Sequence, residues 1–423
     1  GPNCFHSPEL DALVREALMG NRDLRIAAER IEVARARYGI ERSFLYPNVY
    51  GDGAVARQRQ PGFDATQNTT STTGSVGVAV PSWELDLWGR VRAATESARR
   101  QILAAEETRN ALRVSLIAEV SSLYLALLDL DAQLEVAERT IATRQESLRV
   151  VGRRFESGVI GASDLRQAES NLAAAELTVA SLERRRSQTE NALSVLIGRN
   201  PGPVARGRLG ELGLEPLLPA GIPSQLLERR PDVRAAEQGL IAAEADIQVA
   251  RKAFFPTISL TGFLGFISPA LEDLFKSDRY AWSASGAVNA PIFTAGRLRG
   301  NLDAARAQQR IALEQYKQVL QNAFREVEDA LVAYQRLREE RGALQRVVDA
   351  NRERLRLDEM RYRAGVSIYL EVLLAQQQLF ESELQLSQTT RAVYESVVQL
   401  YAALGGGWEP IEPESAERAS TER

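Results

Sequence analysis

A chain of 423 residues, 44% hydrophobic and 26% charged, is long enough for one large fold or for two to three ordinary domains. Its 52 Lys and Arg stand against 56 Asp and Glu, giving a net charge of −4 with no basic block, which argues against a nucleic-acid footprint. With one cysteine (Cys4), one histidine (His6) and two methionines there is no intrachain disulfide, no cysteine zinc site and poor support for soft-metal handling.

In chain order, the first helical pattern covers 22–45 and stops before Pro47, as helices do ahead of proline. Strand patterns follow within 47–84, near 49–59 and 74–83. In the second, Val76, Val78 and Val80 alternate with Ser75, Gly77 and Ala79, and the polar stretch 64–71 between the two reads as a loop. A long helix is expected over 91–151, which contains neither proline nor glycine. Its apolar residues Leu112, Leu116, Val120, Leu123, Leu127 and Leu130 step by three and four, a coiled-coil-like stripe. Sixty helical residues extend about 90 Å, more than a compact globule needs. After a short turn comes a helix over 162–197, then a Pro/Gly-rich stretch, 201–223, that reads as a linker.

The uncharged run 253–271 is long enough for a membrane helix, but Pro256, Gly262, Gly265 and Pro269 interrupt it. Ile258, Leu260, Leu264 and Phe266 fall on one parity and Thr257, Ser259 and Thr261 on the other, which is the period of a strand. Strands are therefore expected within 256–293, near 257–266 and 280–293, followed by a long helix over 297–359, a helix over 369–404 and a polar tail over 409–423.

The same order of elements occurs twice because the chain is internally duplicated. Gly89-Arg90-Val91-Arg92 matches Gly296-Arg297-Leu298-Arg299, and Gly158-Val159 matches Gly365-Val366, at a constant offset of 207 residues. This divides the chain into a first repeat over 1–200, the linker, a second repeat over 224–408 and the tail. Each strand is half apolar and half small or polar, as expected of a wall between lipid and water. Tyr50, Trp83, Tyr280 and Trp282 near the strand ends fit an interfacial belt. Four strands cannot close a barrel, and open edges in lipid leave backbone groups unsatisfied, so the chain is expected to oligomerise. Two, three or four copies supply 8, 12 or 16 strands, and physics alone does not choose. A soluble coiled-coil protein with a small sheet explains the helices but not the duplicated alternating strands.

These residues resemble the TolC family of outer-membrane factors, most closely its OprM-like branch of efflux lipoproteins that serve resistance-nodulation-division pumps. The resemblance covers nearly the whole chain. It rests on Phe254-Phe255-Pro256, Trp83-Glu84-Leu85-Asp86-Leu87-Trp88-Gly89, Leu227-Glu228-Arg229-Arg230-Pro231-Asp232-Val233, Ala295-Gly296-Arg297-Leu298-Arg299 and Ala403-Leu404-Gly405-Gly406-Gly407-Trp408. It implies a mainly α fold with a transmembrane β-barrel: a homotrimer with a 12-stranded barrel in the outer membrane and a 12-helix tunnel across the periplasm. It also implies a drug-efflux conduit with a periplasmic adaptor (membrane fusion) protein, an inner-membrane pump of the resistance-nodulation-division type and outer-membrane lipid as partners. A duct for type I protein secretion and a heavy-metal efflux channel are the alternatives on the same fold. No cofactor and no enzyme activity are expected, because the acidic residues sit on helical faces among arginines and no phosphate-binding glycine motif occurs.

The resemblance also assigns site residues. The two turns between long helices present Gly158, Val159, Gly365 and Val366 to the adaptor. Asp164 with Tyr362, and Ser163 with Ser367, match positions that link the tip helices, although Ser367 stands where that link needs a cation. Leu370, Glu371 and Leu374 match pore constrictions, with leucine at 374 where an acidic residue forms the second ring. Cys4 is a candidate for lipidation, against which stands Asn3 in place of the usual small residue.

Overall fold

A computed structural model describes residues 7–60, 69–213 and 229–406. Cys4, His6, Trp408, the polar tail and part of the expected linker lie outside the described residues. The elements are α1 (Pro8–Gly20), α2 (Arg22–Ser43), β1 (Tyr50–Gln60), β2 (Thr69–Glu84), α3 (Arg90–Glu156) and α4 (Ala162–Leu196), then α5 (Pro231–Lys252), β3 (Thr257–Ser268), β4 (Tyr280–Asn289), α6 (Arg297–Arg363) and α7 (Tyr369–Ala403).

Most element ends lie within a few residues of expectation, and the departures have physical causes. Helix α1 was not anticipated. It is short, but Ser7 caps it by accepting from the Leu10 amide, Pro8 occupies the first turn where no N–H is needed, and Leu10, Leu13, Val14 and Ala17 form a buried stripe. Helix α3 runs through Gly152 to Glu156, since one glycine costs only about 1 kcal/mol against alanine when packing holds the helix. Strand β4 stops at Asn289 because Pro291 has no N–H to donate to a ladder. Strand β2 is longer than expected, and its register with β3 slips between Val80 and Trp83, where Pro81 interrupts the bonding.

Packing groups the chain into two compact units, each drawn from both sequence repeats. One comprises 1–26, 109–231 and 320–423. Its largest core joins Leu10 and Val14 of α1, Leu116, Val120 and Tyr124 of α3, Leu193 of α4 and Val393 of α7. The described part of the expected linker is pinned onto this core. Val204 and Leu209 are buried, the Gly207 amide donates to the Tyr124 hydroxyl at 3.2 Å, and Arg206 pairs with Asp131 and Glu190, both at 2.5 Å.

The other unit comprises 27–108 and 232–319 and contains the sheet. All pairings are antiparallel in the order β1-β2-β3-β4. The register sorts side chains by face, because directly paired residues project to the same side. Leu264 is paired with Val78 and Trp282, and Phe266 with Val76 and Tyr280, giving one apolar face. Thr261 is paired with Ser285, and their hydroxyls lie 2.6 Å apart on the opposite face, which is mainly small and polar but also carries Phe263 and Ile267. Gly77 and Gly265 are also paired on that second face. A Cβ on Gly77 would sit 2.5 Å from the Leu264 carbonyl oxygen, so the two strands approach there as only glycine allows.

Candidate functional site

The residues assigned to the tip gather around two turns of one unit, Ser157–Gly161 between α3 and α4 and Ala364–Ile368 between α6 and α7. Gly158 and Gly365 have φ of 75° and 74°, the left-handed conformation that ends a helix. In each turn the glycine amide and the next valine amide bond back into the helix: Gly158 to Phe155 and Val159 to Arg154, and Gly365 to Tyr362 and Val366 to Arg361, at 2.9–3.0 Å. This is a Schellman closure made twice. It leaves Val159 and Val366 about 70% exposed at the apex.

Below the turns, Val151, Ala168, Tyr362, Tyr369, Val372 and Leu373 form a small apolar core. The helical period that buries Val372 and Leu373 turns Leu370 and Leu374 outward on an exposed strip, one turn apart. Glu371 is half-buried beside them. Its carboxylate lies 3.2 Å from the Arg361 guanidinium, which is also 3.7 Å from Asp358. Arg354 is 3.4 Å from Asp358 in turn, so charges alternate along this side of the tip.

Asp164 and Tyr362 are not hydrogen-bonded to each other within the chain. The Tyr362 ring is turned into the core, 5.6 Å from the Tyr369 ring, with the Arg154 guanidinium 4.2 Å above it. Its hydroxyl is buried and finds no partner among the described residues. Burial pushes the Tyr369 phenol above its ordinary pKa. Ser163 is exposed, and the Ser367 hydroxyl likewise has no partner, so no bond joins that pair within the chain.

Arg154 and Arg361 were not singled out from the sequence. A signal existed: Arg361 and Glu371 lie five residues on either side of Val366, as Arg154 and Asp164 do about Val159. The duplicated positions are used differently, since Arg361 pairs with its acid while Arg154 stacks on Tyr362. Among the described residues no group of acidic, histidine or cysteine side chains is arranged to hold a metal ion.

The sequence profile of outer membrane efflux proteins matches residues 13–199 and 222–406. The chain belongs to the outer membrane efflux protein family. Among relatives of this family, the toluene efflux pump outer membrane protein TtgC of Pseudomonas putida is 38% identical over 99% of this chain and 87% of its own. Outer membrane protein OprJ of Pseudomonas aeruginosa is 39% identical over 95% of this chain and 85% of its own. The outer-membrane channel OprN superposes with a TM-score of 0.89 at 32% identity, covering 95% of this chain and 91% of that one. The open state of the MtrE outer membrane channel of Neisseria gonorrhoeae gives 0.85 at 36% identity, covering 95% and 90%. Family membership places this efflux protein in the outer membrane and accounts for a sheet with one apolar face and one mainly small and polar face.

Proposed function

We propose that three copies of this chain close a barrel and form the outer-membrane duct of a tripartite drug-efflux assembly, gated at the tip of the helices. The observation that carries the reading is the sheet. It has an apolar face, while β1 and β4 lack a second neighbour within the described residues. Such edges are prohibitive in lipid, and three four-stranded sheets give the twelve strands of a closed wall. At the gate, Leu370 and Leu374 form the apolar constriction and Glu371 brings a carboxylate to the same level. Asp164, Ser163, Tyr362 and Ser367 line the tip around it. Gly158, Val159, Gly365 and Val366 form the exposed knuckles for a periplasmic adaptor, which connects the duct to an inner-membrane pump. The cargo is small molecules, passed by a conduit that reads size and charge and supplies no energy itself. The first test is the mass of the detergent-solubilised protein with detergent subtracted. Three times 46.7 kDa is expected, and a detergent-free monomer overturns the reading. In planar bilayers, Leu370→Ser is expected to raise the resting conductance several-fold. An unchanged conductance removes Leu370 from the gate.

A further inference from the structure

The foot of the sheet carries a pattern that the conduit reading does not use. Each of the four junctions between strand and helix places exposed apolar side chains toward the strand and cations toward the helix. Phe44 and Tyr46 follow Arg42 at the end of α2, and Phe254 and Phe255 follow Arg251 at the end of α5. In the reverse direction, Trp88 precedes Arg90 and Arg92 at the start of α3, and Ile292 and Phe293 precede Arg297 and Arg299 at the start of α6. Ile292 and Phe293 are 97% and 88% exposed. The Trp88 and Phe255 rings stack at 5.2 Å, and the Trp88 Nε1 donates to the Pro256 carbonyl at 2.7 Å, which ties two junctions together.

The charge is lopsided. Across 41–46, 84–92, 251–256 and 291–299 there are seven Lys or Arg and three Asp or Glu, a local net of +4 in a chain of −4. Two of the three acids are already engaged, Glu84 by Arg90 at 2.7 Å and Asp86 by Arg92 at 3.2 Å. Arg42, Arg251, Arg297 and Arg299 are exposed and make no ion pair among the described residues.

We infer that this collar is a docking surface for anionic phospholipid headgroups on the periplasmic side of the bilayer, and the inference rests on the barrel reading above. The strands lead directly in the chain into the apolar junction residues, which suit the headgroup boundary, and the arginines follow where phosphates lie. Clustered cations at a membrane surface favour anionic over zwitterionic lipid by roughly fivefold per effective charge at low salt.

The experiment uses the full chain in detergent, equilibrated with equal amounts of phosphatidylglycerol and phosphatidylcholine, with retained lipid identified by mass spectrometry after gel filtration. Phosphatidylglycerol is expected to be enriched at least severalfold. The enrichment should fall as salt approaches about 1 M, where screening reaches about 3 Å, and vanish when Arg42, Arg251, Arg297 and Arg299 are all replaced by Gln. Equal retention of the two lipids, or an enrichment unmoved by salt, overturns the collar while leaving the barrel in place. The salt series on the unaltered protein gives this answer even if the fourfold variant fails to fold. A chain that retains neither lipid and is monodisperse without detergent overturns the barrel reading, and the collar with it.

Discussion

At the tip, Glu371 and Arg361 form an ion pair at 3.2 Å in which both side chains remain partly exposed, so the pair contributes little stability, about 1 kcal/mol or less. Its consequence lies in charge. A carboxylate ring alone favours cations, whereas a carboxylate beside its counter-ion gives a ring close to neutral. Glu371→Gln is therefore expected to move the single-channel reversal potential toward anion preference, and Arg361→Gln toward cation preference. If only the Glu371 variant shifts it, Arg361 does not act at the pore. If neither does, the position lies away from the constriction. Tyr362→Phe is a second test. Because the hydroxyl has no partner among the described residues, its loss is expected to leave the resting conductance unchanged, and a clear increase would show that the hydroxyl holds the gate in the assembly. The family resemblance singles out Glu371, Leu370 and Tyr362 in the sequence by residue type at matching positions. The partners that Glu371 and Tyr362 meet were not legible there, because two arginines at equivalent repeat positions are distinguished only by how each helix is rotated about its neighbours.

Among the elements, α3 shows how a helix start is built. Asp86 accepts from the backbone amides of Val91 and Arg92, each at 2.9 Å. Burial opposes its ionisation, but these two amides and the Arg92 guanidinium outweigh it and hold the carboxyl below its ordinary pKa. A depressed carboxylate contributes stability that is complete above the unfolded value of about 4 and is lost as pH falls through the folded value. Asp86→Ala is expected to cost about 1 kcal/mol, seen as earlier thermal dissociation at pH 7, and the difference from the unaltered protein should shrink below about pH 4. In the sheet, Gly77→Val places a Cβ where backbone atoms of Leu264 and Gly265 already lie, so β2 and β3 must separate. Loss of the threefold mass in detergent is the expected result, and a variant assembling normally would show that the sheet yields at this point. The alternation of residues predicted these strands, but not the slip at Pro81 or the glycine contact, both of which depend on which strand lies alongside.

For the whole molecule, the duplication organises the elements but not the packing. The two compact units each take segments from both repeats, because the long helices α3 and α6 belong to both. On the barrel reading, oligomer mass, resting conductance and lipid retention are properties of the assembly and respond to different residues: the sheet edges, Leu370 and the basic collar. The sequence by itself determined the long helices, the strands and their faces, since periods of 3.5 and 2 follow from local backbone geometry and a repeated order can be read by alignment of the chain with itself. It also placed a turn at Gly158 and at Gly365, although both long helices run several residues further toward these glycines than the pattern suggested. Tertiary structure decided the strand register, the pinning of 201–213, the ring contact of Arg154 with Tyr362 and the pairing of Arg361 with Glu371. Those depend on contacts between residues far apart in the chain or on the rotation of one helix against another, and a local pattern carries no information about either.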